Sequence, residues 1–199
     1  MLALPPAPQP EPKRQVFVGT ALAVTAGATL IGGMLAIWLR FRAAAPTGEG
    51  DKHAIVKEWL PKALDVPGVA ANMLPMALVV ACVMAQWAVY AAKRDFRPHV
   101  GMAFGLNFLF GLAALNVQVY VWVHMGVGIN DDGAYAALFY ALSGVLVFLL
   151  LTGLGYTAVA ATRYLGGRHD LEAVSAHALY WYFLAVATAA VWFVVYIQK

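Results

Sequence analysis

The sequence predicts an all-α integral membrane protein, a bundle of five transmembrane helices, and three observations predict it. Of 199 residues, 62% are hydrophobic and 12% charged, about half the ~25% charged share of a soluble domain. Five apolar stretches exceed the roughly 18–20 residues that a helix needs to cross ~30 Å of hydrocarbon. None of the five holds Lys, Arg, Asp or Glu in its central part, where each would cost about 2.5–3.5 kcal/mol on insertion. The same numbers exclude other classes. A net charge of +3 is too small and too dispersed for nucleic-acid binding, and the single Cys82 cannot form an internal disulfide. Lying in an apolar span, it reads as a buried thiol.

The first fifteen residues carry five prolines and no apolar core, so residues 1–15 read as a flexible tail rather than a cleavable signal. Residues 16–199 form the membrane domain. Its first span, 16–39, ends at Arg40 and Arg42, and Ala28, Gly32 and Gly33 form a small-xxx-small face on it. Such faces let helix backbones approach closely. In the long loop that follows, "KHAIVKEWLPKALD" alternates charge with Ile55, Val56, Trp59, Leu60 and Leu64. That pattern suits either an amphipathic segment on the membrane surface or on a partner, or an ordinary solvated loop. The second span, 69–92, stops at "KRDFRPH".

The third span, 100–125, is the most informative. At 100° per residue, Ala103, Asn107, Gly111, Ala114 and Gln118 fall in one stripe about 80° wide. Small residues permit close approach, and the two amides can hydrogen-bond across the contact for about 0.6–2 kcal/mol each. The stripe therefore reads as a helix-packing face. A proton path is the sharper alternative, but neutral amides relay no proton without water or a titratable neighbour. Asn116 points elsewhere and is the candidate for an intersubunit contact. Gly101 and Gly105 make a further small face. The fourth span, 133–160, is loosened by Gly153 and Gly155, and "RYLGGRHD" separates it from the fifth. That last span, 171–197, places Tyr180, Trp181 and Tyr182 side by side, with Trp192 and Tyr196 at its far end. Aromatics favour the headgroup level, yet the trio lies two to three turns into the span, deep for a belt and better suited to a packing anchor.

Loop charges set the expected orientation. The tail with the second and fourth loops holds seven of thirteen Lys and Arg, against six elsewhere, so the short loops decide. "KRDFR" has three cations, while "GVGINDD" has none and two aspartates. The positive-inside rule then puts the N-terminus in the cytoplasm and the C-terminus outside.

Intrinsic chemistry is not visible. A bis-His haem needs two facing imidazoles at membrane depth. Here His99 and His124 cap the ends of the third span, His177 lies in the second turn of the fifth, and His53 and His169 are in loops. There is no H-x-x-H, E-x-x-H or Cys pair for a metal, nor a nucleophile–base arrangement. The chain is expected to hold no cofactor of its own.

Read in order, several residues carry a resemblance. Gly33, Leu35, Ala36 and Trp38 end the first span, and Ala92, Lys93 and Arg94 follow the second. Gln118, Tyr120, Trp122 and His124 close the third, and Ala134, Tyr135, Phe139, Tyr140 and Gly144 open the fourth. Tyr180, Trp181, Phe183 and Tyr196 mark the fifth. In this order and spacing the chain resembles subunit III of the haem-copper oxidases, in its short five-helix bacterial form. It is a divergent relative. Where that family carries ionisable groups, this chain has Gly27 in the first span, Val121 in the third, Leu146 and Leu149 in the fourth, and Tyr182 and Ala185 in the fifth. The resemblance implies a non-catalytic subunit that stabilises oxidase subunit I, with subunit II, and holds phospholipid between its helices. Haem and copper are expected in those partners. Two further readings of other kinds are a haem b membrane anchor and a small transporter; an accessory subunit of a nitric-oxide reductase is a variant of the first.

Overall fold

The computed structural model describes residues 14–45, 59–61, 64–129 and 133–198. The tail and most of the charged first-loop segment lie outside them. Five helices are present, each long and apolar enough to cross a membrane. They are α1 (Gln15–Ala43), α2 (Gly68–Lys93), α3 (Arg97–His124), α4 (Ala134–Leu165) and α5 (Leu171–Trp192), with a π-helical last turn at Phe193–Ile197. No strand occurs among the described residues.

Most helices overrun the expected spans by about a turn, because their ends are built from long cations. Arg40 and Arg42 lie in the last turn of α1, Lys93 in that of α2 and Arg163 in that of α4. A helix C-terminus favours positive charge, and such side chains can extend from the apolar layer to water. Pro75 sits inside α2, leaving the Ala71 carbonyl without its usual helical donor. At the start of α5, Asp170 accepts from the Ala173 N–H at 3.2 Å and caps the helix.

The helices run up and down, so one end gathers the N-termini of α1, α3 and α5 with the C-termini of α2 and α4. Contacts across that end fix the arrangement. The Glu172 carboxylate accepts from the Phe17 N–H in the first turn of α1 at 2.9 Å. Arg97 donates to the Leu165 carbonyl at 2.6 Å, and His169 Nδ1 lies 3.4 Å from Asp95. The positive φ of Asp95, 56°, closes the tight α2–α3 turn.

The most extensive packing joins α2 to α3, and α5 lies against α1, α2 and α4, reaching α3 through Trp181 and His177. Twelve of its residues are buried, against three on α1. The outer surface is apolar as well, with Leu22, Val69, Met76, Val123 and Phe148 each more than two-thirds exposed. An aqueous surface of this kind would aggregate, whereas a lipid-facing one carries no penalty.

Two features go beyond the loop and face patterns. Trp59, in the segment that reads as amphipathic or as a solvated loop, is 7% exposed and packs against Trp38 and Tyr135 at centroid distances of 5.3 and 5.6 Å. It closes the bundle at the opposite end. Of the predicted small face on α1, Ala28, Gly32 and Gly33 are all exposed. The glycine that packs within this chain is Gly27, turned toward Phe183.

Candidate functional site

The interior contains one connected polar cluster, built from four helices. Asn107 on α3 donates from Nδ2 to the Ala81 carbonyl of α2 at 2.8 Å. Its Oδ1 lies 3.0 Å from the Thr157 hydroxyl of α4. Thr157 Oγ1 in turn stands 2.8 Å from His177 Nε2 and 3.0 Å from Trp181 Nε1, both on α5. Cys82 donates to the Trp181 carbonyl at 3.2 Å, tying α2 to α5 directly. Asn107, Thr157, His177 and Trp181 are all at most 1% exposed.

Counting protons orders the cluster. A Thr hydroxyl offers one proton and two lone pairs, and an indole N–H can only donate. The Trp181 indole N–H lies 3.0 Å from Thr157 Oγ1 and 2.9 Å from His177 Nε2, and donates to their lone pairs. The Thr157 hydroxyl proton serves Asn107 Oδ1 or, at 2.9 Å, the Gly153 carbonyl. The atom left over is His177 Nδ1, which has no partner. An Nδ1–H there is a buried donor without an acceptor, whereas an Nε2–H would face the Trp181 N–H, so either tautomer leaves one mismatch. Phe104 and Tyr156 close the remaining sides of the ring at 5.0 and 5.6 Å.

Glycines receive the α5 aromatics. A Cβ on Gly111 would lie 2.6 Å from the Trp181 ring, and one on Gly153 would lie 2.9 Å from Leu184 and 3.1 Å from Tyr180. One on Gly27 would meet the Phe183 ring at 2.7 Å. Each aromatic thus stands directly on a neighbouring helix backbone. The Tyr180 hydroxyl adds a bond to the Leu149 carbonyl at 2.8 Å.

The predicted site residues separate into three groups. Asn107, Gly111, Ala114 and Gln118 are buried along the inner face of α3, and Tyr180 and Trp181 are buried opposite them. Gln118 differs from Asn107, because its Nε2 finds no partner across the contact. It lines a void of about 10 Å³, room for roughly one water, with Ser143, Thr188 and Tyr196 also in the wall. Asn116 and Tyr182 face outward. Tyr182 donates to Gln86 Oε1 at 2.8 Å.

Sequence reasoning did not single out Thr157 or Gln86, and it left His177 as an isolated ring near a helix end. Polarity at membrane depth is therefore not erased: one imidazole persists, fully buried. The i, i+4 spacing of His177 and Trp181 was the available signal, since it places both ring nitrogens on one face.

Among the described residues there is no group of three His, Cys, Asp or Glu side chains that could hold a metal. A bis-His haem does not fit either. Among the described residues His177 has no second imidazole opposite it, and its Nε2 is engaged by Thr157 and Trp181. A proton relay would need an opening, and the chain of bonds ends instead at the Ala81 backbone carbonyl. What the cluster can do is hold four helices in one register. No family model matches the chain, and no curated protein matches it.

Proposed function

We propose that the chain is a non-catalytic integral subunit of a bacterial haem-copper terminal oxidase, similar to subunit III, that stabilises the catalytic subunit. The observation that carries the reading is the sealed polar cluster. Its imidazole, His177, is fully buried and bonded to Thr157 and Trp181, and its thiol, Cys82, is bonded to the Trp181 carbonyl, so the polar groups are spent on holding helices together. The residues of the resemblance support it. Trp181, Tyr180 and Phe183 stand on Gly111, Gly153 and Gly27, and Gln118, Phe139 and Tyr196 line one void. These members of the resemblance thus meet at helix contacts. Haem and copper reside in partner subunits I and II, and phospholipid is held between the helices. The protein lies in the inner membrane, with its N-terminus in the cytoplasm.

Affinity purification through a tag on this chain tests the reading. The haem- and copper-bearing subunit should co-purify, and deleting the chain should leave initial oxygen consumption near normal while shortening the enzyme's working lifetime several-fold. A chain that purifies alone, or that shows a stoichiometric Soret band when expressed by itself, overturns it. So does immediate loss of proton pumping with unchanged stability.

A further inference from the structure

We infer that the outer face of α2 is the docking surface for one transmembrane helix of a different protein, held by hydrogen bonds at two depths. Apolar exposure alone says nothing here, because lipid satisfies it equally well. Two carboxamides carry the argument. Gln86 lies seven residues inside the C-terminus of α2 and Asn116 eight residues inside that of α3, roughly 10–12 Å from the helix ends. Both are exposed on the outside of the bundle. Tyr182 occupies Gln86 Oε1, and the Nε2 protons have no acceptor among the described residues. The Asn116 side chain has no hydrogen-bond partner among the described residues. In hydrocarbon no water replaces these partners, and each missing bond costs on the order of 1–3 kcal/mol. Acyl chains cannot supply them, whereas a polar side chain on another helix can.

The two amides flank one surface. Asn116 lines a groove of about 500 Å³ with Val69 and Met73, and Gln86 lines another of about 430 Å³ with Val79, Val83 and Tyr182. On α2, Val69, Met76 and Val83 recur every seven residues, so they form a single outward ridge between the grooves. They are 74%, 68% and 56% exposed. Along α2 the two polar points lie 13–17 residues apart, roughly 20–25 Å. One membrane-crossing helix laid along this ridge reaches both. The occupant is therefore a helix with hydrogen-bonding side chains near each end of its span, including an acceptor at the level of Gln86.

The inference needs a second membrane protein on this face but not that it belong to an oxidase, so the two ideas fail separately. A photoreactive benzophenone side chain placed at Val83 in the native membrane tests it, with Phe148 on α4 as the control position. Val83 should yield one discrete adduct to a different membrane protein, and Phe148 only lipid adducts. Combining Gln86→Met with Asn116→Leu should lower the Val83 adduct at least fivefold, normalised to the amount of this chain in the membrane. Adducts at Val83 to lipid alone or to a second copy of this chain overturn the inference. An adduct whose yield is unchanged in the double variant overturns it too.

Discussion

Thr157 does more than any other polar side chain in the bundle, because one oxygen serves Asn107, His177 and Trp181 at once. Thr157→Val keeps the shape and removes that oxygen, leaving the Asn107 amide oxygen without its donor and the Trp181 N–H with only His177 Nε2. A single interhelical hydrogen bond in a membrane averages about 0.6 kcal/mol. An orphaned buried amide oxygen together with the lost Thr157 contacts should raise the loss to about 1–3 kcal/mol, read as a lower unfolding midpoint in detergent, and Thr157→Ser should restore most of it. Gly111 makes a second, steric test. Trp181 cannot retreat from an added Cβ, since its indole N–H is held by Thr157. Gly111→Ala should therefore cost about 1–3 kcal/mol by overpacking. Gly105→Ala, where nothing lies within 4 Å, should stay within about 0.5 kcal/mol. Asn107 was legible in the sequence because its stripe of small residues repeats at helical spacing. Thr157 and His177 were not. Each sits singly in an apolar helix, and only the packing of α4 on α5 brings them together.

At the scale of elements, α1 is the weakly held member, with only Gly27, Ile31 and Trp38 buried. Its C-terminal half is anchored through Trp38, which meets Trp59 edge-on at 5.3 Å and Tyr135 at 5.1 Å. Trp59→Ala removes one wall of that cluster and should cost about 3–5 kcal/mol locally. The expected signature is faster amide hydrogen exchange near Trp38 with little change in α3, because segments with few buried contacts open first. Equal acceleration in all five helices would contradict this partition. The spans themselves were legible, since crossing hydrocarbon is a local requirement on length and polarity. The burial of Trp59 was not legible for the complementary reason: alternation in a charged loop records composition, while burial depends on Trp38 and Tyr135, 21 and 76 residues away. Gly27 shows the same limit, because its importance comes from Phe183 on α5.

For the whole molecule, the two ends differ in charge, and that difference predicts its direction in the membrane. Lys93, Arg94, Arg97, Arg163 and Arg168 gather where α2 meets α3 and α4 meets α5. The opposite end has Arg40 and Arg42 on the last turn of α1 and Lys52, Lys57 and Lys62 in the long first loop, but its short α3–α4 loop has no Lys or Arg. Short loops rich in Lys and Arg are retained in the cytoplasm, so the end holding Arg168 should face inward and the end holding Ala44 outward. Cys82, the only cysteine, is buried with its thiol bonded to the Trp181 carbonyl, which keeps background labelling low. A membrane-impermeant maleimide should modify Ala44→Cys in cells whose inner membrane is intact, and Arg168→Cys only after that membrane is opened. The reverse pattern would place the N-terminus outside. It would leave the helix packing untouched but would turn the Asn116 groove toward the cytoplasmic leaflet and the Gln86 groove toward the outer one. A partner helix docked along α2 would then have to present its acceptor for Gln86 in the outer leaflet.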